Sequence, residues 1–594
     1  MAERERSRVD SDRAYLWRLH RILALYVAGV LGFLALMTWA EHQGLSRHWI
    51  GPIFLFLTVM VYAGIGVYGR TTDPEDYYVA GRRIPPMYNG MATAADWMSA
   101  ASFISLSGAL YLQGFSGTPG QAGGLAYLLG WTGGFCLVAM LIAPHLRAMG
   151  LYTIPDFFHV RFGGRWPRVI AALAAVLCSF TYVVAQIYGV GLIASRLTGV
   201  QFEIGIMLGL GGVLLCSFLG GMRAITWTQV AQYVVLLLAF MIPVSWLAYK
   251  QLGNPLAPLV YGEQIGKIAD LEAQLLDSPA EHQVVQAYLQ RAKDFEARLQ
   301  NVEASLAHER EKGRERIRAL RAQNADVGLI VAASRELAAL PRDANAARER
   351  WTREMRENYE RARPLGGLPP HSQAYVGDPD GTPEEQRDYE LTRRNFLALM
   401  FCLMVGTAGL PYVVAGLVAA GGLAAALSTA DGLLLTISNA LVRDLYFQDS
   451  QRKASPEQRV ILSKFALLAV ALSAAFVAAL KPSEILPMVS ASFSLAASAF
   501  VPAMVLGIFW RGTTRQGAVA GMLTGLGIAV YYMLSHVPAV QGVLPRWLLA
   551  DGLWFGIQPI SAGVFGVPCG LLVTVVLSWM TRPAPALPRI RSEM

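Results

Sequence analysis

The sequence predicts an all-α protein that crosses the membrane many times, and three observations lead there. Of its 594 residues 54% are hydrophobic and only 15% are charged, with a mean hydropathy of +0.39, too apolar for the surface of an ordinary soluble chain. Apolar runs of about 20 residues recur along most of the length, and about 20 residues of helix cross the hydrocarbon core. Glycine is abundant, at 57 residues, which suits close helix packing in lipid.

The N-terminal stretch MAERERSRVDSDRAYLWRLHR is basic and precedes an apolar run over 22–40. That run lacks an A-x-A cleavage site and is followed by a second span over 50–68, so it reads as a retained helix. After the polar loop GRTTDPEDYYVAGRRIPP come the stretch 91–110 and spans near 123–143, 169–193, 204–219 and 227–249. Basic residues mark every second loop: Arg70, Arg82 and Arg83, then 147–168, then Arg223. By the positive-inside rule those loops and the N-terminus face the cytoplasm of a cell (inner) membrane. The net charge of +8 is thereby explained by orientation and implies no nucleic acid. The five cysteines all fall within apolar runs without C-x-x-C spacing, which reads as buried small hydrophobes rather than disulfides or a metal cluster.

The next loop, 250–394, is very long and faces away from the cytoplasm by the same alternation. Its charged middle, 264–363, carries apolar residues at helical spacing (Ile268, Leu271, Leu275; Ile317, Leu320) among Glu/Arg pairs. It predicts a helical hairpin outside the membrane, either a coiled-coil or docking element for a protein partner or a solvated insert. Beyond it 395–441 is apolar, interrupted at GTAGLP (406–411), and spans follow near 460–480, 485–509, 518–534 and 557–580. The loops RGTTRQG and TRPAPALPRIRSEM are basic, placing the C-terminus in the cytoplasm as well. Parity then poses a difficulty. Residue 395 starts outside and Arg443 must lie inside, yet 47 residues fit two crossings. Either one long broken helix lies partly at the interface, or a span is missing.

Two stretches carry chemistry. In MATAADWMSAASFISLSGAL (91–110) the acid Asp96 stands beside Trp97, Ser99 and further serines. A charge in a bilayer is costly and normally faces a partner, a cavity or an ion path. Small residues and hydroxyls let such a helix unwind and free backbone carbonyls for a cation; the alternative is an intact helix with its hydroxyls bonded back to the preceding turn. In GGLAAALSTADGLLLTISNAL, Ala425, Ser428 and Thr429 share a helix face, so one carbonyl and two hydroxyl oxygens converge as hard ligands for Na⁺ or a similar ion. Asp431, one turn on, assists cation entry, titrates, or pairs with a neighbour. Tyr182, Gln186, Trp227 and Gln229 either line a cavity or bond between helices. Gly406 and Thr407 precede Pro411 at a break that exposes backbone groups.

The segments DPEDYYVAGRRIPP, ADWMSAASFISLSG, GGMRAITWTQ, GTAGLP and GGLAAALSTADGLLLTISNALVRDLY, in that order, resemble the sodium:solute symporter family, specifically its acetate/monocarboxylate permease branch. The resemblance covers almost all of the chain outside the insert. It implies a leucine-transporter-like core of two inverted five-helix repeats, with the first and sixth core helices unwound at the cargo site. The chain then divides into accessory helices (1–86), a first repeat (87–249), the extramembrane insert (250–393), a second repeat (394–510) and C-terminal helices with a tail (511–594).

Carried over by motif, Ala95 and Met98 supply carbonyls and Ala425, Ser428 and Thr429 the A-x-x-S-[ST] set of one sodium site. Asp96, Trp97 and Ser99, with Gln186, Gly406, Thr407 and Asp431, fall to cargo binding or coupling. Where some relatives carry an acid for a second sodium, this chain has Gln229. The family has a whole seventh core helix after GTAGLP, whereas here Pro411 runs directly into YVVAGLVAAGG, so the second repeat is one helix short. The implied activity is import of a small monocarboxylate such as acetate, driven by Na⁺ or by H⁺, in a transporter rather than an enzyme and with no cofactor beyond the coupling ion. The alternatives are a transport-deficient deletion form and a membrane sensor of the same fold.

Overall fold

The computed structural model describes residues 2–113, 117–118, 121–256, 279–323, 327–362, 412–448, 455–543, 545, 549–550 and 552–581. Two compact units divide the chain. One comprises residues 1–110, 119–257 and 402–594, the other 111–118 and 258–401.

The first unit is the membrane body. Among the described residues ten helices are long and apolar enough to cross a bilayer, which makes this a multi-pass membrane protein. Its accessory helices α1 (Ala2–His42) and α2 (Arg47–Tyr68) precede a short α3 (Pro74–Val79). The chain then runs through α4 (Pro86–Trp97), α5 (Leu106–Gln113), α6 (Gly124–Leu137), α7 (Ala143–Ala148), the loop helix α8 (Ile154–Phe162), α9 (Arg165–Thr198) and α10 (Phe202–Leu252), the stretch expected to hold the first repeat. At 51 residues α10 is far longer than one crossing. Its two spans meet at Gly221, whose φ of 55° and ψ of −146° leave the helix. A side chain there would strike Tyr77 of α3, so glycine is required on both counts.

Every apolar run of the first repeat lies where the hydropathy placed it, and the stretch 91–110 is interrupted at Met98–Ser99 as its composition suggested. One core helix stands apart. None of the apolar window of the span built from α6 and α7 is buried in protein, and Cys136 on it is exposed while Cys178 on α9 is buried. The expectation that every cysteine is buried therefore fails on the helix that turns its apolar surface outward.

The second unit holds, among its described residues, four helices in place of the expected hairpin: α11 (Pro279–Gln300), α12 (Val302–Ala322), α13 (Val327–Ala338) and α14 (Ala344–Arg361). Asn301 turns the chain between α11 and α12 and caps the latter, its Oδ1 accepting the Ala304 N–H at 3.2 Å. Pro341 and Asp343 end α13 and start α14, the Asp343 carboxylate accepting the Ala346 N–H at 2.8 Å. Val302, Leu306, Ala347 and Trp351 form its core, with Arg298 stacked over Phe295 and Trp351 at 5.2 and 6.0 Å. Ile317 and Leu320 are half-buried. Ile268, Leu271 and Leu275 lie outside the described residues, as do Gly406 and Thr407.

Back in the membrane body, α15 (Tyr412–Asn439) continues as a π turn (Ala440–Leu445) and is followed by α16 (Pro456–Ala479), α17 (Ile485–Phe509), α18 (Arg515–Ser535) and α19 (Gly563–Met580). The α15 helix is the axis of the unit: every residue from Ala420 to Asp431 is buried, against α10, α9, α2 and α4. Its first described residues have N–H groups held from another helix. The Glu41 carboxylate at the end of α1 accepts from Tyr412 at 3.0 Å and Val413 at 3.2 Å. Between α18 and α19, Gly521 and Gly570 permit near contact of the two backbones, since a Cβ at either would collide with the facing helix.

Where α15 ends, four charges are drawn together from three elements. Asp156 of α8 pairs with Arg168 of α9 and, at 3.0 Å, with Arg443 of the π turn. Arg168 Nε also lies 3.4 Å from Asp444, to which Thr153 Oγ1 donates at 3.2 Å. Arg443 rests over the Tyr152 ring at 4.1 Å. Both acids are buried, and equal numbers of acids and bases compensate the desolvation. Replacing Asp156 by Ala leaves both arginines without their shared carboxylate. The expected loss is about 3 kcal/mol, the low end for breaking a buried pair, read as a lower melting temperature of the detergent-solubilised protein; an unchanged melting temperature would remove the cluster's structural importance.

Candidate functional site

The site grows from the interruption of the first core helix. The run PMYNGMATAADW begins on Pro86, is rich in small residues and stays helical as far as Trp97. Met98 then leaves the helix at φ −75°, ψ 66°, and the chain re-enters it through a π turn at Ala101–Ser105. An unwound turn in a bilayer exposes polar backbone that lipid cannot satisfy. Here side chains take over. Ser99 Oγ accepts the Ala101 N–H at 3.2 Å, and Ser102 Oγ donates to the Trp97 carbonyl at 2.7 Å. From α9 the buried Gln186 Oε1 accepts the Ala100 N–H at 2.9 Å.

The other side of the break is closed by α15. Ser428 Oγ stands 2.8 Å from the Ala95 carbonyl oxygen and 3.0 Å from that of Ala425, and Thr429 Oγ1 donates to the Asp96 carbonyl at 2.9 Å. The sequence ALST in a run of alanines makes this approach possible, because Ala424, Ala425 and Ala426 are fully buried without side-chain bulk. From α10, Gln229 Nε2 donates to the Ser428 carbonyl at 3.0 Å and lies 3.4 Å from Asp96 Oδ1. Three carbonyls and two hydroxyls thus converge on one break. The set is entirely hard oxygen, the chemistry of alkali and alkaline-earth cations rather than of soft metals.

Beside these oxygens lies a cavity of about 290 Å³. Asp96, Trp97, Ser99, Gln229 and Thr429 line it, and Trp131, Phe135, Tyr182 and Phe493 wall it with aromatic surface. Phe493 meets Trp131 and Tyr182 edge to face at 5.3 and 5.2 Å. No lysine, arginine or histidine lines it among the described residues. Asn439, nine-tenths buried, also lines the cavity, and its Oδ1 is buried without a hydrogen-bond partner.

The structure therefore brings together Ala95, Asp96, Ala425, Ser428 and Thr429 at the break, and puts Trp97 and Ser99 on the cavity wall. Three other named residues stand around this set. Met98 lies in the break, but Thr429 reaches the carbonyl of Asp96 instead. Gln186 supports the break from behind rather than lining the cavity. Asp431 is buried outside the cavity, accepting from Ser217 of α10. Sequence reasoning missed Ser217, Asn439, Thr436 and, of the aromatic wall, Trp131, Phe135 and Phe493; for Gln229 the structure gives both alternatives at once, a place on the cavity wall and a bond between helices. A signal for part of this was present, since Thr429, Gly432, Thr436 and Asn439 recur at intervals of three and four.

A helical membrane body with an interrupted first core helix, clasped by hydroxyls from a later one, defines a secondary transporter of leucine-transporter-like fold. The chain belongs to the sodium:solute symporter family, whose model matches residues 77–282 and 396–525. An uncharacterized symporter of Cupriavidus necator is 40% identical over 697 aligned positions, covering 98% of this chain and 99% of the relative. The uncharacterized symporter YwcA of Bacillus subtilis is 27% identical, with 85% of this chain and 88% of the relative covered. Among solved structures, a Na⁺-coupled sialic acid symporter in a substrate-bound outward-open state is similar in fold, with a TM-score of 0.53, 19% identity, and coverage of 91% of this chain and 99% of that one.

Since Gln186 holds an otherwise orphaned N–H at the break, Gln186→Leu is expected to cost roughly 1–3 kcal/mol. Gln186→Glu, which keeps the acceptor, should lose less. Thermal unfolding of the two purified variants checks the order, and equal stability would mean that the Ala100 N–H is satisfied by other means.

Proposed function

We propose that this symporter imports a small monocarboxylate such as acetate, driven by an inward Na⁺ gradient. The observation that carries the ion assignment is the position of Ser428 Oγ within 3.0 Å of carbonyls on two helices, Ala95 on the broken one and Ala425 on its own. With Na⁺ present, those oxygens and Thr429 Oγ1 turn from bonding one another to bonding the ion. This ties α15 to the break and stabilises the open, cargo-accepting arrangement. Alternating access then follows from making and breaking that tie. Cargo binding falls to the aromatic cavity, whose volume of about 290 Å³ leaves ample room for a small organic acid. The half-helix that restarts at Ala100 offers the positive end of its dipole to the carboxylate. Asp96 repels an ionised acid and is assigned to the cation side. The five motifs shared with the acetate/monocarboxylate branch support the cargo class, and the basic loops support an inner-membrane setting with both termini cytoplasmic.

A second reading, a transport-deficient or sensory form of the same fold, has its own support. In the sequence GTAGLP runs directly into YVVAGLVAAGG, with no stretch between them to supply a seventh core helix. The alignment with the Cupriavidus relative spans 697 positions, 103 more than the 594 residues here, so at least that many of its residues have no counterpart.

Uptake of labelled acetate into proteoliposomes, with and without an inward Na⁺ gradient, separates the readings. Transport should require the gradient. Ser428→Ala and Thr429→Ala should each raise the Na⁺ concentration for half-maximal uptake about tenfold, the effect of some 1.4 kcal/mol of lost ligation. Sodium dependence unchanged in both variants would sink the ion assignment, and absence of uptake from a protein that still binds Na⁺ would favour the second reading.

A further inference from the structure

Away from the ion site, α1 and α2 flank a second cavity of the membrane body, an apolar groove of about 380 Å³. Its floor is Val235 of α10 with Leu417 and Ala420 of α15, all three buried. Phe33 of α1 meets Phe54 of α2 edge to face at 5.0 Å in its wall. Its rim is open. Leu25 of α1 is 64% exposed, Leu57 of α2 is exposed too, and a Cβ added to Gly29 of α1 would meet no atom within 4 Å. Hydroxyls in the lining are already spent within the protein, Tyr26 donating to the Ala231 carbonyl of α10 at 3.2 Å and Thr58 to the Phe54 carbonyl at 2.6 Å. The groove therefore offers little to a polar ligand and suits hydrocarbon.

Depth and charge identify the occupant. Trp17 of α1 is 67% exposed, with Arg21 over its ring at 5.8 Å, an aromatic and basic pairing that belongs at a membrane surface. Leu25 and Gly29 follow 8 and 12 residues after Trp17, which places them ~12–18 Å deeper, within the hydrocarbon. Arg18, Arg21, Leu25 and Gly29 recur at intervals of three and four, so they share one face of α1. Both arginines are exposed, and neither pairs with a carboxylate among the described residues. One helix face thus carries positive charge at the surface and an apolar groove beneath it. We propose that this face of α1 seats one anionic phospholipid, its phosphate on Arg18 and Arg21 and an acyl chain in the groove against Leu417 and Ala420. The bilayer is as apolar as the groove, so chain burial distinguishes little between lipids; the arginines select the headgroup and the groove fixes its position. Ala420 lies eight residues, about two turns, before Ser428 on α15, so a seated chain packs on the helix that carries the hydroxyls of the ion site. The inference depends on neither the cargo nor the coupling ion.

The test is native mass spectrometry of the purified full-length protein, titrated in detergent with phosphatidylglycerol or with phosphatidylcholine of the same acyl chains. The expected result is one phosphatidylglycerol held about thirtyfold more tightly than phosphatidylcholine, the combined effect of two surface arginines. Replacing both arginines, Arg18→Gln with Arg21→Gln, should level the two lipids. Gly29→Trp fills the groove from its open rim and should remove the tightly held lipid, together with any rise in melting temperature that phosphatidylglycerol gives the wild type. Should Gly29→Trp fail to fold, Leu57→Trp fills the groove from α2 and carries the test. Equal affinity of the wild type for the two lipids overturns the proposal, as does a preference that persists without the arginines. Tight phosphatidylglycerol binding that survives the tryptophan variants also overturns it, since the headgroup is then held at the surface alone. A dimer in the same spectra that the tryptophan variants dissociate gives the groove to a second copy of the chain and overturns the lipid assignment.

Discussion

The structure turns on one contact, the Ser428 hydroxyl set between the carbonyls of Ala95 and Ala425. Hydrocarbon offers no hydrogen bonds, so a helix can be interrupted in a membrane only where protein groups replace the bonds it gives up. At Met98–Ser99 the replacements come from the broken segment itself (Ser99 and Ser102), from α9 (Gln186) and from α15 (Ser428 and Thr429). Burial of α15 is the geometric consequence. To bring two short hydroxyls within reach of another helix's backbone, it must lie at the centre of the body and present little else than alanine and glycine there. The same small side chains leave little dispersion contact to resist a shift, so polar contacts decide how α15 and the break sit together.

Around this contact the membrane body has surroundings of uneven firmness. Below α15 the Asp156–Arg168–Arg443–Asp444 cluster ties three elements in a buried, charge-balanced knot. Along α18 and α19, glycine facing glycine gives near-backbone contact. The α6–α7 span is held more lightly, through Trp131 against Phe493 and His145 against Phe509, and Trp131 and Phe135 of α6 wall the cavity. The cavity is thus bounded on one side by the well-buried α9, α10 and α15 and on another by a helix with little buried surface.

Much of the fold was legible in the sequence because hydropathy reports the bilayer directly. The spans and the interruption of 91–110 follow from composition, and the meeting of Asp96 with the ALST motif from the family resemblance. What escaped was set by tertiary direction. Gln186 and Gln229 are both intramembrane carboxamides, and spacing alone does not say that one braces a break while the other bridges two helices. The aromatic wall drew no notice because Trp131, Phe135 and Phe493 look like ordinary lipid-facing residues until three helices converge. In the insert, the stops at Asn301 and at Pro341–Asp343 were readable, but its core rests on Ala347 and Trp351, a pair too sparse for a periodicity argument, and four helices were taken for two.

Glu41 reaches Tyr412 across 371 positions of sequence, and that span has a meaning in time. A ribosome adding ~5–20 residues per second needs roughly 20–75 s to travel it. For that interval α1 is already inserted and its terminal carboxylate has no helix to cap, while the segments between, including the whole of the first repeat, are still being laid into the bilayer. The central helix therefore emerges to find its cap waiting. Assembly of the ion site is ordered by synthesis, with the accessory helix acting as a pre-placed receptor for the last part to arrive.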